Sequence, residues 1–271
     1  MNEGYFEDRG LYYRTNNFVP GRPTLVFMHG LSGSSSAWLR HEKLFEHTHN
    51  ILSFDLRGHG RSRKHPHYED YTIPKFADDL FQLVLHLKID QFALITHSFG
   101  CLIALEFLAK HQDRVTSALL LSPNFAVGKR VFEKIVRPFF AITKIFNIFP
   151  IPPKPGTHVD YTRHEEANDW NIPMTYDDVR NTSLRVYLYA SRQAFAVDYH
   201  DLLPLIHIPV VLVHGKNDSI FPIAHSRIMN EKMKNSKFIL LDGADHIIVV
   251  NHFDKISKIL EDFVLGLARK E

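Results

Sequence analysis

Leu25 to Met28, Ile51 to Phe54, Phe92 to Ile95 and Ala118 to Leu121 are short, nearly continuous apolar runs, and helical patterns separate them. Runs of that length and continuity suit strands buried on both faces. Between the second and third, Thr72 to Leu87 sets Phe76, Leu80, Val84 and Leu87 on one stripe. That spacing predicts an amphipathic helix, with Thr72 placed to cap it. Strands alternating with helices predict an α/β fold, a mostly parallel twisted sheet with helices on both faces. Ahead of them, Tyr5 to Arg14 reads as a hairpin turning at Asp8 to Gly10. After Leu121 the alternation stops. From Pro123 to Leu203 there is a Phe- and Ile-rich segment, a proline-rich break from Pro150 to Gly156, and two helical patterns ending near Ala196. Strand-like runs resume at Val210 and Phe238, and a last helix is expected from about Phe253 to Arg269. This division predicts a core domain of residues 1–123 and 204–271, interrupted by a helical lid of residues 124–203.

The chemistry-bearing residues fall just past the ends of these runs. Thr96-His97-Ser98-Phe99-Gly100 lies between the third run and a helix beginning near Cys101. Small neighbours let a strand turn sharply into a helix with the serine hydroxyl thrust outward. A serine hydroxyl needs a base in hydrogen-bond reach to act as a nucleophile. Downstream, Asp218 follows the run from Val210, and His246 follows the run from Phe238. Asp242 and Asp245 are rival acids, although Asp245 is adjacent to His246 and poorly placed to fold back onto its ring. After the fourth run, Ser122-Pro123-Asn124 offers no carboxylate.

Ser98, Asp218 and His246 thus follow the chain order nucleophile, acid, base, and with these motifs the sequence resembles the α/β-hydrolase superfamily. It is most similar to its lid-bearing esterases, lipases and carbon–carbon bond hydrolases. The resemblance implies a Ser98–Asp218–His246 triad acting through an acyl-enzyme. It also implies an oxyanion hole made by the backbone N–H groups of Phe99 and Leu31, the latter from a His-Gly-x pattern at His29-Gly30-Leu31. Asp55, Arg57 and Gly58 to Ser62 resemble the family's scaffold loop beneath the site, and His29 takes a structural role. Two positions depart from the family elbow: Thr96 stands for its first glycine, and Cys101 follows Gly100.

The implied reaction is cleavage of a carboxylic ester with an apolar acyl or alcohol group. The same triad also serves carbon–carbon bond hydrolysis or a cofactor-free perhydrolase or haloperoxidase reaction, and a non-catalytic ligand-binding homologue is a further reading. Composition narrows the rest. Among 271 residues, 45% are hydrophobic and 23% charged, and the net charge is +2, which gives no reason to invoke nucleic acid. The single cysteine, Cys101, excludes an internal disulfide, and no apolar stretch is long enough to span a bilayer. A cytoplasmic location is expected. Neither His41, His47 and His49 nor His65 and His67 match a zinc spacing, so no metal or cofactor is expected. Oligomeric state is not set by the sequence. Within the insert, Phe139 and Phe140 belong to a phenylalanine-rich stripe that should select apolar substrate groups. Lys134, Arg137 and Lys144 beside it raise transient membrane or lipid contact.

Overall fold

The computed structural model describes residues 1–126, 138, 154–164, 169 and 171–268. The hairpin is β1 (Asn2–Phe6) and β2 (Leu11–Thr15). The apolar runs become β3 (Thr24–Met28), β4 (Asn50–Phe54), β5 (Phe92–His97), β6 (Val115–Leu121), β7 (Val210–Gly215) and β8 (Ser236–Leu241). All join one eight-stranded sheet ordered β1-β2-β4-β3-β5-β6-β7-β8. The hairpin runs antiparallel at one edge, and β4, β3, β5, β6, β7 and β8 pair in parallel.

Helices cover both faces. They are α1 (Leu39–Phe45), α2 (Ile73–His86), α3 (Phe99–His111), α4 (Ile172–Thr182), α5 (Leu184–Ala196), α6 (Ile223–Lys232), α7 (Ile248–Asn251) and α8 (Phe253–Ala268). Alternate strand residues supply two cores, as the two-residue period of a strand dictates. Val26 and Met28 pack in one with Leu80 and Val84 of α2 and Leu102 and Leu105 of α3. Leu25 and Phe27 pack in the other with Phe45 of α1 and Ile256 and Leu260 of α8.

Thr72 occupies the N-cap position of α2, yet its hydroxyl makes no capping bond. Pro74 has no N–H to offer, and the amides of Lys75 and Phe76 bond the Thr72 carbonyl at 3.0 and 3.2 Å instead.

The segment between β6 and β7 carries α4 and α5. Asn171 caps α4 by accepting from the Met174 amide at 2.7 Å, and Ser183 caps α5. Val186, Tyr189 and Ala190 of α5 pack into the first core. The segment is pinched at its base, where Ala126 and Asp198 form an isolated antiparallel bridge and the Tyr199 amide bonds the Phe125 carbonyl at 3.0 Å. Phe139 and Phe140, and Lys134, Arg137 and Lys144, lie outside the described residues.

Candidate active site

β5 ends at His97 and α3 begins at Phe99, so Ser98 alone makes the turn. It does so at φ 51° and ψ −113°, a backbone region that residues with a Cβ rarely enter. The surroundings are built for that crossing. A Cβ at Gly100 would sit 2.8 Å from the His29 carbonyl oxygen, so only glycine lets α3 approach the turn after β3. Thr96, where a glycine is usual, is accommodated without exposure, and its hydroxyl donates to Cys101 Sγ at 3.2 Å. Burial pushes the Cys101 thiol up to about 12, so it remains protonated and acts as packing.

Ser98 Oγ lies 2.8 Å from His246 Nε2, and His246 Nδ1 lies 2.8 Å from Asp218 Oδ2. A carboxylate only accepts, so Nδ1 carries the proton and Nε2 is free to accept from the Ser98 hydroxyl. The other oxygen of Asp218 accepts from the amides of Ile220 and Phe221 at 2.9 and 2.8 Å. Burial alone would raise the Asp218 pKa, but hydrogen bonds from His214 and His246 outweigh it and hold the carboxyl well below the usual range. The rival acids point elsewhere. Asp242 is largely exposed and pairs with Lys216, and Asp245 accepts from the Ile247 amide and the Asn251 side chain.

Leu31, Ser98, Phe99 and His246 line one cavity of about 630 Å³ with mainly apolar walls. Phe99 is the first residue of α3, so its amide is one of the helix's unpaired N-terminal donors. Neither it nor the Leu31 amide meets an acceptor among the described residues. Among the described lining residues there is no lysine or arginine.

Several residues that sequence reasoning passed over hold this arrangement. His97 Nε2 and Ser122 Oγ both donate to the His246 carbonyl at 2.9 Å, from neighbouring strand ends. Desolvation of the partly buried His97 ring brings its pKa down to about 3, so it stays neutral. His214 Nε2 faces two acceptors, Asp218 Oδ2 at 3.2 Å and the Phe221 carbonyl at 3.1 Å, and Ser226 donates to its Nδ1 at 2.7 Å. Asp169, from the β6–β7 segment, accepts from the His246 amide at 2.6 Å and from the Ser219 amide at 2.9 Å. It bridges the loops that carry base and acid. Such tethers join residues up to about 150 positions apart, and no spacing rule announces them.

His29 and Asp55 serve beneath the site. His29 Nδ1 donates to the Gly30 carbonyl at 2.7 Å and Nε2 accepts from the Leu56 amide at 3.0 Å, so neither nitrogen is available for proton transfer. Burial keeps its pKa down to about 4. Asp55 accepts from the Ser35 and Arg61 amides and from His158 Nε2 at 2.8 Å. Arg57 forks onto buried Asp79 at 2.7 and 2.6 Å. Among the described residues no cluster of three or more His, Cys, Asp or Glu side chains is disposed to hold a metal, and no described helix is long and apolar enough to cross a membrane.

Known proteins share this architecture. A monoacylglycerol lipase from Bos taurus is 24% identical over 92% of this chain and 77% of its own. A thermophilic esterase from Thermogutta terrifontis superposes with a TM-score of 0.71 at 21% identity, covering 95% of this chain and 93% of that one. An enol-lactonase from Burkholderia xenovorans gives a TM-score of 0.71 at 22% identity over 94% and 96%. These structural likenesses show the fold. Residues 23–253 match the family model described as the alpha/beta hydrolase fold, and the chain belongs to that family.

Proposed function

We propose that the protein is a serine hydrolase that cleaves a carboxylic ester through an acyl-enzyme. The observation that carries this reading is the line Ser98 Oγ, His246 Nε2, His246 Nδ1, Asp218 Oδ2, with 2.8 Å at each hydrogen bond, opening onto an apolar cavity. In this reading His246 takes the Ser98 proton as the hydroxyl attacks the ester carbonyl, and Asp218 stabilises the imidazolium. The Leu31 and Phe99 amides receive the negative charge that develops on the carbonyl oxygen. His246 returns the proton to the leaving alcohol, and the same steps with water release the acid. The double tether on the His246 carbonyl supports the reading, because a fixed base loses little order on reaching the transition state.

The apolar walls favour an apolar acyl or alcohol group, and the β6–β7 segment is the part of the chain proposed as lid. The absence of a lysine or arginine from the described lining removes support for the carbon–carbon bond alternative, which needs a partner for a substrate carboxylate. The names of the related lipase and esterase agree with an ester. The test is labelling by a fluorophosphonate together with turnover of p-nitrophenyl esters of graded acyl length. Labelling at Ser98 and a burst of p-nitrophenol are expected. A folded protein that neither labels nor turns over any ester of the series would end this assignment.

A further inference from the structure

Among the polar side chains that line the cavity above Ser98 and take no part in the proposed reaction, one is a buried carboxyl. Asp178, in the second turn of α4, lines it and is only 7% exposed. Its Oδ1 accepts from the Tyr161 hydroxyl at 2.7 Å. Its second oxygen meets no donor among the described residues, and no described lysine or arginine lines the cavity to neutralise it. A carboxyl in that setting is costly unless something else supplies the missing hydrogen bond. Burial holds its pKa up at about 7, and Tyr161 is the one hydrogen-bond partner it has among the described residues.

Its position is fixed rather than incidental. One turn on, Thr182 Oγ1 donates to the Ser32 carbonyl at 2.9 Å, in the turn that carries Leu31. The Tyr161 hydroxyl would lie 3.4 Å from a Cβ at Gly33 of the same turn. Asn171 caps the start of the helix. A pair fixed at both ends, beside the proposed oxyanion loop, is built to meet a ligand atom.

We propose that the Asp178–Tyr161 pair is a recognition subsite for a substrate that carries a hydrogen-bond donor, a hydroxyl or a protonated amine, away from the scissile carbonyl. This rests on the ester-hydrolase reading and narrows its substrate class: the substrate is apolar along most of its length and bears one donor. Asp178 supplies the free acceptor. Tyr161 occupies the other carboxyl oxygen and orients the group.

The test compares ω-hydroxy and ω-amino esters of graded chain length with their methyl-ended isosteres. One series carries the donor on the acyl group and one on the alcohol group. In wild type, kcat/KM should favour a donor-ended ester over its isostere by at least about tenfold, the size of one hydrogen bond to a charged group. The hydroxyl and amine arms identify which donor is preferred. In Asp178→Asn, of similar volume, that ratio should fall to within about twofold of unity. A wild type that treats the isosteres alike in both series, or prefers the methyl-ended ones, overturns the proposal whatever the variant does. So does an Asp178→Asn protein that keeps the wild-type ratio. If no ester is turned over, calorimetry of hexan-1-ol against methyl pentyl ether, of equal size but without a donor, reads the subsite alone. Tighter binding of the alcohol, lost in Asp178→Asn, keeps the subsite while the ester reading fails, and equal binding rejects the subsite.

Discussion

The strand ends and the β6–β7 segment place residues around one cavity by different means. Ser98, Asp218 and His246, with the Leu31 and Phe99 amides, each follow a strand of one parallel ladder, so main-chain pairing sets where they stand. The segment's residues are held by side chains reaching across the chain: His158 to Asp55, Ser36 to the Val159 carbonyl, Thr182 to the Ser32 carbonyl, and Asp169 to the loops of acid and base. The ladder is cooperative and hard to displace, while each side-chain tether is a separate interaction of about 1 kcal/mol. The proposed chemistry rests on the first kind of support. The proposed substrate choice, a property that varies among members of one fold, rests on the second.

The largest effects should follow from the strand-end residues. Ser98→Ala and His246→Ala should each lower ester turnover at least about a thousandfold while the melting temperature stays near wild type. His246→Ala should also lose fluorophosphonate labelling. Full activity in either folded variant would place the chemistry elsewhere.

Asp218→Asn comes next, with a fall of about a hundredfold or more, because an amide no longer selects the Nδ1–H tautomer of His246. Asp242→Asn and Asp245→Asn, whose carboxylates face away, should stay within about threefold. Steady-state kinetics of the three variants ranks the acids directly, and a larger loss at either rival overturns the assignment to Asp218.

On the segment side the expected effect is on stability. Asp178 ionises near 3.8 when unfolded and at about 7 when folded, chiefly because it is buried. The folded state therefore disfavours the charge, and stability is lost as pH rises between those values. Asp178→Asn removes that loss. Its gain over wild type should be near zero at about pH 4 and reach about 2 kcal/mol at about pH 8, part of the full penalty being relieved by solvent in the cavity. Chemical denaturation at both pH values measures it, and a gain that does not grow with pH would mean that the carboxylate is satisfied after all.

The smallest effect concerns the elbow. Thr96→Gly removes a buried side chain and its bond to Cys101, and it frees the unfolded chain. It should lower stability by about 1 kcal/mol and leave turnover within about threefold. Inactivation would reveal a role for the hydroxyl beyond packing.

The same contrast explains what could be read before any coordinates. Strand ends are visible because continuous apolar runs stop there, so Ser98, Asp218 and His246 could be matched to a family pattern by position and order, and the hairpin and two segment helices showed by turn residues and period. The strand order was not legible, because periodicity does not say which strands are neighbours. His97 and Ser122 look like ordinary loop residues until β5, β6 and the His246 loop are brought together. Asp178 and Tyr161 are equally silent: one sits among ordinary helix residues, the other opens a short 3-10 turn, and only the folded cavity makes them a pair. The Thr72 cap failed for a local reason, Pro74, which was in view all along.

The bridge between Ala126 and Asp198 has an evolutionary consequence. The bridge holds the chain's exit from the sheet beside its return, so the ends of the intervening loop are kept together. The entropy of closing such a loop changes slowly with length, by about 0.6 kcal/mol for each doubling. Replacements of the stretch, longer or shorter, therefore leave the ladder's pairing intact, but each must supply its own tether to the loops of base and acid, as Asp169 does here. Under the proposed function, a protein with that bridge can change its substrate preference by exchanging one stretch, with the strand ends left to the chemistry.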